Sequence, residues 1–105
     1  YLKKPVILDF YAGWCTPCRE LEEVTFHDAS VVKVADGRFV MVKVDLTKGG
    51  DPVHERLLQQ YEIKGVPTIV FLDPSGKERR DLRLVDFLPA DQFLGRMAQL
   101  NKGGS

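Results

Sequence analysis

The sequence predicts one α/β domain over residues 1–100, built on a central mixed β-sheet of about four strands with helices on both faces. Three observations predict it. Segments of strand-like and helix-like pattern alternate along the chain, as βαβ units with right-handed crossovers require. The run Val6-Ile7-Leu8-Asp9-Phe10-Tyr11 is nearly continuous in apolar residues, as in a strand covered on both faces. The turn signal Asp73-Pro74-Ser75-Gly76 separates two further strand-like segments and predicts an antiparallel pair.

Taken in order, the first strand leads through Ala12-Gly13-Trp14 into Cys15-Thr16-Pro17-Cys18. Pro17 suits the first turn of a helix, where its missing N–H would be unpaired in any case, and that helix is expected through about Glu23. Asp28 or Ser30 can cap a second short helix carrying Val31, Val32, Val34 and Ala35, with Gly37 closing it. Phe39 to Asp45 reads as the second strand. After the turn Lys48-Gly49-Gly50-Asp51-Pro52, Val53, Leu57, Leu58 and Tyr61 recur at helical spacing. Thr68 to Leu72 is a third strand, and a fourth is expected around Arg80 to Val85. Pro89 and Asp91 open a last helix with Phe93, Leu94, Met97 and Leu100 on its apolar face. Residues 101–105 read as a flexible tail.

The totals narrow the function classes. At 105 residues and 44% hydrophobic composition the chain can bury a core of its own. Fifteen basic residues balance fifteen acidic ones, with no long block of either sign, which argues against nucleic-acid and anionic-membrane partners. The longest apolar runs are a few residues long, against the roughly 20 of a membrane helix, so no direct membrane insertion is expected. No signal-peptide pattern is visible.

Two cysteines three apart make a poor structural staple: the small loop they close is worth about 2 kcal/mol, against about 3 for a fifteen-residue loop. They suit chemistry better. Exchange needs a thiolate that reaches a partner and a second thiol near enough to resolve the mixed disulfide. At a strand-to-helix junction, unpaired N–H groups and the helix dipole stabilise a thiolate at Cys15, and Cys18, one turn further in, is expected to be the more shielded resolving thiol. No cofactor beyond a redox-active Cys15–Cys18 disulfide is expected. The competing reading is half of a zinc site. That would need two more ligands, and His27 and His54 lack the short mutual spacing such sites use. No metal ligands are assigned.

Asp9-Phe10-Tyr11-Ala12, Trp14-Cys15-Thr16-Pro17-Cys18 and Gly65-Val66-Pro67-Thr68 together resemble the strand, active site and cis-proline loop of the thioredoxin superfamily. Lys4-Pro5-Val6 and the stretch from Glu20 to Asp28 are more specifically similar to the C-terminal domain of the DsbD family of thiol:disulfide interchange proteins. The resemblance implies a thioredoxin fold and a thiol-disulfide oxidoreductase, here an electron-donating relay. Its partners would be a membrane-embedded donor domain and a periplasmic acceptor domain. It implies Cys15 as nucleophile, Cys18 as resolving thiol, Asp9 as the buried carboxylate beneath them and Glu22 as a second acid nearby. Physics supports Asp9 independently, since desolvation raises a carboxyl pKa towards the working pH. Partner contacts fall by the same resemblance on Trp14, Thr16, Pro17, Val66, Pro67 and Asp86. Pro67 is expected to follow a cis bond, leaving the Val66 backbone to pair with an extended partner segment.

The chain also departs from the family pattern. Gly13 stands where relatives commonly carry an acid, Asp86 stands near a usual glycine, and Met41 occupies the strand position where thioredoxin has a lysine beside its buried aspartate. With no cation at Thr16 or Pro17 and with acids nearby, the thiolate is disfavoured and the disulfide favoured, which reads as a reductant. The chain is expected to act as a monomer in the periplasm, as a soluble domain of a membrane protein. A free-standing cytoplasmic thioredoxin reduced by a soluble reductase is the alternative, and a zinc or scaffold module the remaining one.

Overall fold

The first strand, β1 (Val6–Tyr11), lies at the centre of a three-stranded sheet of order β2-β1-β3. A computed structural model describes the backbone of residues 3–103 and the side chains of residues 3–100. β2 (Val40–Asp45) runs parallel to β1 and β3 (Thr68–Leu72) antiparallel to it. α1 (Thr16–Glu20) and α2 (Ala29–Ala35) come between β1 and β2, α3 (Pro52–Gln60) between β2 and β3, and α4 (Ala90–Gly103) follows β3.

The period-two alternation of β1 divides the interior into two layers. Ile7 faces Ile69, Phe71, Phe93, Met97 and Leu100 on the side covered by α2 and α4. Leu8 and Phe10 face Val44, Val70 and Leu72 on the other side, where Leu57 and Leu58 of α3 and Tyr61 just after it close over them. Phe93 anchors the first layer: it is fully buried, with Phe26 edge-on at 5.2 Å and Phe71 at 5.7 Å between ring centroids. Phe93→Ala is expected to remove about 3–5 kcal/mol of stability, read as a lowered urea midpoint at unchanged slope.

The helix starts follow side-chain chemistry. The Asp28 carboxylate accepts the Ser30 and Val31 N–H groups at the start of α2, and Asp51 does the same for Val53 and His54 at α3, behind Pro52. Gly37, at φ +73°, ends the segment after α2 in a conformation that glycine adopts without cost.

Three elements differ from the sequence reading. The first helix does not stop near Glu23 but widens into a π-turn over Leu21–Thr25, where the buried Thr25 hydroxyl donates to the Leu88 carbonyl at 2.5 Å. The fourth strand is reduced to a 3-10 turn at Arg80–Leu82 and two isolated antiparallel bridges to β3, Leu72 with Glu78 and Ile69 with Leu84. Ion pairs within the segment, Arg79 with Asp81 and Arg83 with Glu78, favour a curled path, while Leu82 and Leu84 still reach the core. The tail expected from residue 101 is helical as far as Gly103; residues 104 and 105 lie outside the described ones.

Candidate active site

Cys15 ends the β1-to-α1 connection and is itself the N-cap of α1. Its sulfur accepts the Cys18 N–H at 3.3 Å, and its own N–H donates to the Ala12 carbonyl at 3.2 Å. Cys15 and Cys18 are joined in a disulfide, with Cα atoms 5.2 Å apart. Each is 5% exposed, so the greater shielding expected of Cys18 does not appear. What separates the two is the backbone: a helix-start N–H points at the Cys15 sulfur.

Around them the disulfide packs with Ala12, and Tyr11 and Val66 close on the same cluster. The loop before β3 therefore meets the cysteines. The Val66–Pro67 peptide bond is cis. Trp14, 69% exposed, lines an open groove of about 240 Å³ with Val66 and Gly65. Thr16 is exposed and Pro17 half-buried. Asp86 is less integrated: Val85 lines a cleft with Val66 and Pro67, but Asp86 does not, and its carboxylate accepts its neighbour Phe87's N–H at 2.7 Å.

Asp9 lies beneath this surface, 7% exposed, on the same face of β1 as Ile7. It shares a small cavity of about 90 Å³ with Cys18, Ala12, Arg19 and Glu22. Burial pushes its carboxyl up to about 6, partly offset by the positive charge of Lys43. An acid poised there is half-ionised near pH 6 and mostly ionised at neutrality, close enough to accept and release a proton.

Lys43 corrects the expectation that Asp9 has no cation. The register pairs Met41 with Ile7 and places Lys43 opposite Asp9 on the same face of the sheet. Lys43 also forms an ion pair with Glu22, and its ammonium lies 5.7 Å from the centre of the Tyr11 ring. Glu22 is thereby tied to the buried acid through a shared lysine, with His27 Nδ1 a further 3.8 Å from its carboxylate. The signal that could have found Lys43 is the strand register, which local pattern does not carry. Among the described residues no cluster of three or more His, Cys, Asp or Glu side chains could hold a metal ion, and no helix is long and apolar enough to cross a membrane.

Comparison with known proteins places this geometry. The thioredoxin-like domain family model matches residues 2–101. The thiol:disulfide interchange protein DsbD of Actinobacillus pleuropneumoniae is 42% identical over 98 residues, and that of Vibrio vulnificus is 40% identical over 99. These alignments take in 92% and 94% of this chain but only 16% of each relative, so the chain spans about one sixth of their length. Among solved structures, the oxidised C-terminal domain of Neisseria meningitidis DsbD superposes with a TM-score of 0.79 at 32% identity, covering 96% of this chain and 84% of that one. A thioredoxin from Thermus thermophilus superposes with a TM-score of 0.80 at 27% identity, over 97% and 77% of the two chains. The chain belongs to the thioredoxin-like domain family and, within it, to the DsbD C-terminal domains.

Proposed function

We propose that this domain is a thiol-disulfide oxidoreductase that works as an electron-donating relay, taking electron pairs from a membrane-embedded donor domain and passing them to a periplasmic acceptor. The observation that carries this reading is the Cys15 sulfur at a helix start, accepting the Cys18 N–H above a buried Asp9. In the reduced domain the Cys15 thiolate attacks one sulfur of the partner's disulfide. A Cys15–partner bond forms, and the other partner sulfur leaves as thiolate. Cys18 gives its proton to Asp9 and attacks the Cys15 sulfur, forming the Cys15–Cys18 disulfide and releasing the partner's second thiol. Two electrons have then moved to the partner, and Asp9 returns its proton through the cavity that Arg19 and Glu22 border.

Negative charge on Asp9 opposes the thiolate and favours the disulfide, which supports the donating direction. Lys43 moderates that push and keeps the acid's pKa from climbing further. Among the described residues neither the N–H nor the C=O of Val66 has a hydrogen-bond partner, so an extended partner segment can pair with both, beside Trp14, Thr16 and Pro17. Asp86 adds charge at the margin of that surface. No cofactor beyond the disulfide is needed, and the domain acts as a monomer in the periplasm. The resemblance to the Thermus thioredoxin keeps a free-standing reductant as the second reading; the donor distinguishes the two.

The test is stoichiometric. Reduced domain mixed with a protein carrying a single exposed disulfide is expected to reduce it while gaining one Cys15–Cys18 disulfide per partner disulfide lost, and Cys15→Ser is expected to abolish the reaction. Absence of exchange by the unmodified domain would overturn the reading.

A further inference from the structure

The turn that carries Trp14 to Cys15 is tied down by a residue far along the chain. Gly13 N–H donates to Thr47 Oγ1 at 2.8 Å, across 34 residues of sequence. Among the described residues this is the one side-chain hydrogen bond that Gly13 or Trp14 makes. Thr47 is itself fixed. Its N–H donates to Asp45 Oδ1 at 3.0 Å, and its hydroxyl donates to the same oxygen. Asp45 closes β2 opposite Tyr11, the last residue of β1, and Leu46 N–H extends that ladder by one rung to the Tyr11 carbonyl at 2.8 Å. The clasp thus hangs from the rigid end of the sheet.

A threonine hydroxyl has one proton to give and two lone pairs to offer. Here the proton goes to a carboxylate, which polarises the oxygen and makes it a better acceptor for Gly13. The two bonds from Thr47 hold the Asp45 carboxyl below the usual carboxylate range, so that anchor stays charged wherever exchange runs.

We propose that Thr47 is a positioning residue for thiol-disulfide exchange, holding the Gly13–Trp14 turn in the shape that presents Trp14 and Cys15 to a protein partner. The proposal rests on the exchange reading given above. Without the clasp, glycine at position 13 leaves the turn free to sample many conformations, and a docking partner must order it. Activation of the sulfur does not pass through Thr47, because the Cys15 thiolate depends on the Cys18 N–H and on Asp9. Loss of the clasp should therefore weaken recognition of a folded partner and leave intrinsic reactivity alone.

Thr47→Val removes the hydroxyl at nearly constant shape, and Thr47→Ser keeps it. Both would be compared with the unmodified domain for reduction of a disulfide-bearing protein, for reduction of a small organic disulfide, and for the fluorescence anisotropy of Trp14, the only tryptophan in the chain. Thr47→Val is expected to raise KM for the protein roughly fivefold, the factor carried by one neutral hydrogen bond. It should leave kcat and the small-disulfide rate within about twofold and lower the Trp14 anisotropy, while Thr47→Ser restores both KM and anisotropy. Unchanged KM and anisotropy with a lowered unfolding midpoint would make Thr47 merely structural and overturn the proposal. So would a serine variant that behaves like the valine one. Failure of the unmodified domain to reduce either disulfide would remove the exchange reading instead, and the anisotropy comparison would still decide whether the clasp orders the turn.

Discussion

Cys18→Ser is expected to turn the domain from a catalyst into a trap: the partner stays covalently attached through Cys15, and multiple turnover stops. The reason lies in which parts of the site the substitution spares. The donor to the Cys15 sulfur is the backbone N–H of residue 18, which serine retains, so the nucleophile keeps its stabilisation. The thiol that would attack the mixed disulfide is gone, and a hydroxyl cannot replace it. Non-reducing gels and intact mass should show one partner per domain, released by added dithiol. The reciprocal variant makes the test sharp. Both cysteine residues are equally shielded, at 5% exposure, so residue accessibility alone predicts equal trapping by Cys15→Ser and Cys18→Ser. The backbone donor predicts trapping through Cys15 alone. Equal accumulation from the two variants would show that the helix start does not select the nucleophile.

Much of the site was legible because its parts are local. The strand Thr68–Leu72 stands out as a short apolar run before a turn, and the structure gives it the same limits. The helix start after Cys15 follows from Pro17, and of the two caps the sequence offered for α2, Asp28 and Ser30, the structure uses Asp28. What sequence reading missed is set by register and by long-range contact. Met41 and Lys43 lie two residues apart on the same face of β2, and only the pairing of β2 with β1 decides which one meets Asp9. A slip of two residues keeps every side chain on its face, so the apolar pattern cannot report it. The Thr47 clasp joins residues 34 positions apart and leaves no periodic trace. The missing fourth strand is a case where ion pairs between near neighbours outweighed a weak strand pattern that sheet pairing did not reinforce.

Asp9→Asn is expected to change stability, nucleophile and resolution in different directions, which makes it the more demanding test. The Asp9 pKa rises from 3.8 to about 6 on folding, through burial, so the native state binds the proton more tightly than the unfolded chain. The Asp9 contribution to wild-type stability should therefore be highest below about pH 4, fall as pH rises through about 6, and level off above it. The shift of about two units corresponds to about 3 kcal/mol. Asparagine carries no such penalty. In the oxidised forms, the variant's urea midpoint should match the wild type's near pH 4 and exceed it near pH 8. In the reduced forms, removal of the negative charge should lower the Cys15 pKa, so that alkylation becomes faster above about pH 6, where wild-type Asp9 is ionised. Resolution of the mixed disulfide should instead slow, on the order of a hundredfold, because Cys18 has lost the group that takes its proton. A faster first attack with slower turnover is a combination that a purely structural Asp9 does not produce. If the Cys15 titration stays in place or moves upward while the stability difference still grows with pH, Asp9 is buried but not coupled to the cysteines, and proton transfer from Cys18 must take another route.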